Sequence, residues 1–130
     1  MESLRYKDLS YKVIGCAMKV HQKLGPGFLE KVYENALMIE LAGAGIKAIQ
    51  QAPIQITYNQ KIVGDYFADI LVDDKIILEL KATEKLLKIH QSQVINYLNA
   101  TGIELGILIN FAEESLNYKR LLRLKDYKER

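Results

Sequence analysis

At 130 residues, with 49% hydrophobic and 26% charged side chains, the chain has globular proportions, not those of a disordered or membrane-spanning polypeptide. One domain of this length buries roughly two-thirds of the surface its unfolded form exposes, so a single domain over residues 1–130 is expected. A net charge of +2 excludes any bulk electrostatic argument for a polyanionic partner, and a lone cysteine, Cys16, excludes a disulfide within the chain and a cysteine-based zinc site.

In chain order, a first helix is predicted from about Leu9 to Leu24, with Leu9, Val13, Ala17 and Val20 at helical spacing and Asp8 as candidate cap. Cys16 sits among Val13, Ile14, Ala17 and Val20 and reads as a small buried hydrophobe, and His21, near Lys19 and Lys23, reads as a surface residue. Gly25-Pro26-Gly27 ends that helix, since Pro26 cannot continue the hydrogen-bond ladder. A second helix, about Phe28 to Ala42, is expected to bury Leu29, Val32, Ala36 and Ile39 and to stop at Gly43-Ala44-Gly45. The period then shortens. Ile54 and Ile56 alternate with Gln55 and Thr57 in a strand from Ala48 to Tyr58, Asn59-Gln60 turns the chain, and Lys61 to Val72 returns. After Asp73-Asp74-Lys75, Ile76 to Ala82 is apolar enough to be a central strand. A helix from about Lys85 or His90 to Ala100, a buried strand from Leu105 to Phe111, and an edge strand within Tyr118 to Leu124 complete the order α-α-β-β-β-α-β-(β). The fold class is therefore α/β (α+β), a mixed four- to five-stranded sheet flanked by helices.

No apolar run approaches the roughly 20 residues of a membrane span. MESLRYKDLS shows no apolar stretch of the kind that follows the basic residues of a secretory leader, so a cytoplasmic location is expected. Lys81, Lys85, Lys88 and His90 cluster in sequence, and Lys119, Arg120, Arg123, Lys125, Lys128 and Arg130 make the tail basic.

The register of the second and third strands carries the chemistry. Tyr66, Ala68, Ile70 and Val72 form one apolar row and Ile76, Leu78, Leu80 and Ala82 another, and both rows should share the buried face. Matching them requires an odd loop, Asp73-Asp74-Lys75, which pairs Val72 with Ile76 and sets Asp69 opposite Glu79. The other face then collects Asp65, Asp69, Glu79 and Lys81. Carboxylates gathered in this way repel unless a cation lies between them, and their hard oxygens suit Mg²⁺ or Mn²⁺. Lys81 could position or activate a water or stabilise charge on phosphorus. The plainer reading of E-x-K is a solvated strand face with a cross-strand ion pair.

Gly25-Pro26-Gly27-Phe28-Leu29-Glu30-Lys31-Val32-Tyr33-Glu34 contains G-x-x-E-x-x-Y. Taken with Asp69, Glu79-Leu80-Lys81 and Gln93-Val94-Ile95-Asn96-Tyr97, the chain from about Tyr11 to Leu122 resembles the GxxExxY family, assigned to the PD-(D/E)XK nuclease-like superfamily. The resemblance implies a restriction-endonuclease-like core and a metal-dependent nuclease acting on DNA in preference to RNA, with Mg²⁺ or Mn²⁺ as cofactor. By the same resemblance Asp69 and Glu79 are the metal-binding carboxylates, Lys81 the catalytic lysine and Glu30 the helical acid that completes the metal site, with Glu34 a rival. Gln93 and Tyr97 match a Q-x-x-x-Y helix that helps orient the active site and the nucleic-acid backbone; Lys85, Lys88 and His90 stand beside it as further nucleic-acid contacts. Ala68 replaces the proline of the superfamily motif. A non-catalytic nucleic-acid- or protein-binding module with the nuclease fold is the competing reading. A homodimer through an exposed sheet edge or the first helix, suggested by the alternating apolar stretch around Ile54, Ile56 and Ile62, is compatible with either.

Overall fold

The computed structural model describes residues 6–124. Its first helix, α1 (Lys7–Leu24), opens at a left-handed Tyr6 (φ 54°), so Asp8 lies inside the first turn instead of capping it. There its charge still meets the positive end of the helix dipole. Gly25, at φ 68°, closes α1 by donating its N–H to the His21 carbonyl at 2.8 Å.

α2 (Glu30–Gly43) departs from expectation in its phase. Leu29 and Ile39 are 81% and 72% exposed, and the buried side chains are Tyr33, Glu34, Leu37 and Leu41. The cause is Tyr33. Its hydroxyl donates to the Gly25 carbonyl (2.6 Å) and accepts the Phe28 N–H (3.1 Å), while its ring stacks on Phe111 at 4.7 Å. A buried tyrosine held at both ends fixes the rotation of the helix, and Leu37 and Leu41 follow at intervals of four.

The strands are β1 (Ala48–Tyr58), β2 (Lys61–Val72), β3 (Ile76–Lys81), β4 (Leu105–Asn110) and β5 (Asn117–Leu122), with α3 (Lys88–Thr101) crossing between β3 and β4. They form one five-stranded sheet in the order β1-β2-β3-β4-β5. Only the β3–β4 pair is parallel, as a helical crossover permits. Asn59 and Gln60 both take positive φ, the backbone of a two-residue hairpin turn that matches strand twist.

Two apolar layers result. On one face Val13, Ala17, Tyr33, Leu37 and Leu41 pack on Ile70, Val72, Ile76, Leu78, Leu80 and Ile107. On the other, Val94, Tyr97 and Leu98 of α3 pack on Ala52, Ile54, Ala68, Ile77 and Leu108. Gly106 admits α3 closely, because a Cβ there would stand 2.6 Å from Val94 Cγ1.

His21 is not a surface residue. It is 9% exposed, its ring lies against Phe111, and its Nε2 is 2.8 Å from the Glu113 carbonyl, so it pins the end of α1 to the loop after β4. Cys16 is buried, as expected. Of the residues considered for a dimer edge, Ile54 is buried and Ile56 half-buried, leaving Ile62 exposed. Arg123 is held by Glu104 at 2.7 Å, and Lys125, Lys128 and Arg130 lie outside the described residues. Among the described residues no helix is long and apolar enough to cross a membrane.

Candidate active site at the fork between two strands

The β2–β3 ladder pairs Val72 with Ile76, Leu71 with Ile77 and Ile70 with Leu78, the register that the apolar rows demanded. Asp73 and Asp74 both take positive φ, and the Lys75 N–H bonds the Val72 carbonyl at 2.8 Å, giving the odd-length loop. The ladder then stops. At the next position the side chains take over: the Asp69 N–H donates to Glu79 Oε1 (3.1 Å), and the Leu80 N–H donates to Asp69 Oδ2 (2.8 Å). Two carboxylates thus fill the opening between diverging strands, each accepting an N–H from the opposite one.

This differs from a shared outer face. Ala68 packs toward α3 whereas Ile70, two residues on, packs toward α1 and α2, so β2 changes face at Asp69. Opposite it on β1, Gln51 sits at φ 55°. A regular pleat cannot place positions 68 and 70 on opposite faces, and this irregularity turns Asp69 into the fork. Asp65, expected on the same face, instead lies exposed farther along the β1–β2 ribbon opposite Gln55. Tyr66 is half-exposed and stands outside the buried row.

Electrostatics follow from burial. Glu79 is 5% exposed, and its carboxyl is pushed up to about 8, by burial first and then by the neighbouring Asp69 charge. Asp69 N–H and Lys81 act in the opposite sense, so the Lys81 charge reaches Glu79. Asp69 is also raised, chiefly by burial, with Glu34 and Glu30 adding to the effect and the Leu80 N–H and Gln51 amide opposing it. Lys81 ends β3 opposite Asn110 of β4.

The helical acids divide their roles. Glu34 is 4% exposed and committed: it accepts from Lys31 Nζ (3.0 Å), Gln50 Nε2 (2.6 Å) and Gln51 Nε2 (3.1 Å). Glu30 is exposed at the first turn of α2, and its charge reaches both Asp69 and Glu79. Among the described residues no three His, Cys, Asp or Glu side chains converge closely enough to hold a metal ion by themselves, so Glu30 does not close a cage with the fork pair. The donor chemistry nonetheless suits a hard divalent cation. The buried Glu79 and half-buried Asp69, both raised chiefly by burial, offer oxygen ligands, and Mg²⁺ ordinarily completes its shell with water and phosphate oxygens.

From α3, Gln93 Nε2 donates to Tyr97 Oη at 3.1 Å. The Tyr97 phenol is raised by burial and then by the Glu79 and Asp69 charges, which locates it beside the fork. His90 Nδ1 accepts the Leu87 N–H (3.0 Å) and so caps α3, and Lys85 and Lys88 are exposed on either side of Leu87.

Sequence reasoning missed two supporting residues, Gln51 and Asn110, and left the part played by the motif tyrosine, Tyr33, undefined. Gln51 links Glu34 to Asp69. Asn110 is fully buried; its amide bonds the Thr83 backbone at 2.9 and 3.1 Å and donates to Glu113 at 2.7 Å, tying together the ends of β3 and β4. Tyr33 holds the turn that presents Glu30. The one available signal was polarity out of place, as with an asparagine interrupting the apolar run Leu105–Phe111.

A family model described as the PD-(D/E)XK nuclease superfamily matches residues 7–121. A search of curated proteins finds no match. The fold is shared with the crystal structure of SSO0001, at TM-score 0.57 and 19% identity over 74% of this chain and 52% of that one. It is also shared with an alkaline exonuclease, LHK-Exo from Laribacter hongkongensis, at TM-score 0.53 and 14% identity over 72% of this chain and 56% of that one. The chain thus spans about half the length of these two proteins.

Proposed function

Because the chain belongs to the PD-(D/E)XK nuclease superfamily, we propose that it is a metal-dependent nuclease of the GxxExxY type, hydrolysing phosphodiester bonds of DNA in preference to RNA. The observation that carries this reading is the fork itself: half-buried Asp69 and buried Glu79 joined by reciprocal backbone bonds, with the Lys81 charge reaching Glu79. Paired carboxylates in that position destabilise a metal-free protein and repay that through a ligand.

A divalent cation bound there would polarise the phosphate and lower the pKa of a coordinated water. Asp69 and Glu79 would hold it, and Glu30 adds negative charge from α2. The Lys81 ammonium steadies the attacking water and the charge gathering on the phosphoryl oxygens. Water forms the new O–P bond as the bridging O–P bond breaks, leaving a phosphate monoester and a hydroxyl. Gln93 and Tyr97 hold the strand beside the reacting phosphate, and Lys85, Lys88 and His90 contact the backbone farther along.

Cleavage of single-stranded, duplex and branched DNA with Mg²⁺ or Mn²⁺ tests the reading, with wild type and Lys81→Ala side by side. Metal-dependent cleavage by wild type that Lys81→Ala loses by two or more orders of magnitude is expected. No cleavage by either, or equal cleavage by both, overturns it.

The lack of a ready three-acid cage among the described residues favours one alternative, a non-catalytic nucleic-acid-binding module on the nuclease fold. That reading expects salt-dependent DNA binding that survives Glu79→Gln, with no turnover.

A further inference from the structure

The β1–β2 ribbon runs on past the fork and faces α3 across a cleft of about 630 Å³, within the ~300–1,000 Å³ usual for small-ligand sites. Its chemistry is unlike that of a phosphate groove. Gln55, Thr57, Gln93 and Asn96 contribute amides and a hydroxyl, Tyr66 and Tyr97 contribute rings, and its described lining carries no lysine, arginine or carboxylate, its one imidazole, His90, having Nδ1 bound to the Leu87 N–H. Phosphate contacts favour cations, whereas base edges call for neutral donors and acceptors beside an aromatic face. Tyr66 supplies such a face: its ring is 48% exposed and lies 5.8 Å from Tyr97, the residue that borders the fork.

We propose that this cleft takes an unpaired nucleobase of the strand whose phosphate lies at the Asp69–Glu79 fork, making single-stranded or frayed nucleic acid the substrate class. The inference rests on the nuclease reading for the place of the phosphate, but the cleft's chemistry stands on its own residues. In a duplex the base edges are paired and the faces stacked, so a base can enter only after extrusion, which selects against intact duplex. In a single strand the base is free to stack on Tyr66 and to meet the amides of Gln55 and Asn96.

Fluorescence anisotropy in EDTA, where cleavage is silent, tests this with labelled single-stranded DNA, the same strand carrying abasic sites, and duplex. The base-bearing single strand should bind about tenfold more tightly than either other probe, since one base–aromatic stack is worth about that factor. Tyr66→Ala should abolish the preference. Asn96→Ala, at an exposed helix position that folding tolerates, should reduce it several-fold. Equal binding of base-bearing and abasic strands, a preference intact in both variants, or no binding at low salt overturns the inference. Failure of the nuclease reading is distinguishable: cleavage with Mn²⁺ is then absent while the base preference persists.

Discussion

Neutralising Glu79 should stabilise the metal-free protein at alkaline pH. Its carboxyl has an ordinary value of 4.5 and is held at about 8 in the folded chain, so the fold prefers the protonated acid. Below about pH 4.5 folded and unfolded chains both carry the proton and the stability from this group is complete. As the pH rises from 4.5 to 8 the unfolded chain releases its proton while the folded one retains it, and stability falls. At about 1.4 kcal/mol for each tenfold change, the gap sets a ceiling of about 5 kcal/mol, which relaxation and water entry reduce to about 2–3 kcal/mol. Glu79→Gln keeps an oxygen for the Asp69 N–H and removes the charge. In EDTA at pH 8.5 (about half a unit above the Glu79 value) the variant should melt about 10 °C above wild type, at ~3–5 °C per kcal/mol for a chain of this length. At pH 5 the two should melt together. Added Mn²⁺ should then raise the wild-type midpoint at alkaline pH and leave the variant unmoved, because a ligand that binds only the folded state stabilises it. Melting curves that run parallel from pH 5 to 8.5, or a variant less stable than wild type at the upper end, would refute the account of Glu79 as a strained carboxylate awaiting a cation.

Other perturbations follow from named contacts. Tyr33→Phe removes the hydroxyl shared by Gly25 and Phe28 and should lower stability by about 1–3 kcal/mol in chemical denaturation; if Glu30 assists metal binding, the Mn²⁺ affinity measured by calorimetry falls as well. Gly106→Ala places a methyl 2.6 Å from Val94 Cγ1, and Gly106→Ala with Val94→Ala should recover most of a loss of about 1–3 kcal/mol. Asn110→Ala unties Thr83 from Glu113 and should cost about 2 kcal/mol, read as a lower urea midpoint with unchanged slope.

Local patterning already determined a great deal here. The extent of β1 and β2, the turns between the strands, the burial of β3 and β4, and the pairing of Val72 with Ile76 all followed from alternation and turn chemistry, which act over a few residues. The superfamily was legible from the ordered set of motifs along the chain. The phase of α2 was not, because Leu29, Val32 and Ile39 are as apolar as Leu37 and Leu41, and only the distant Phe111 ring and the Gly25 carbonyl select which set turns inward. Nor could periodicity reveal that β2 changes face at Asp69. That change coincides with the positive φ of Gln51 on the adjacent strand, and it leaves Asp69 and Glu79 in a desolvated gap between strands. Residue identity along the chain specifies which charges are present; tertiary packing alone decides how much water they lose, and so whether two acids form a solvated pair or a site primed for a cation.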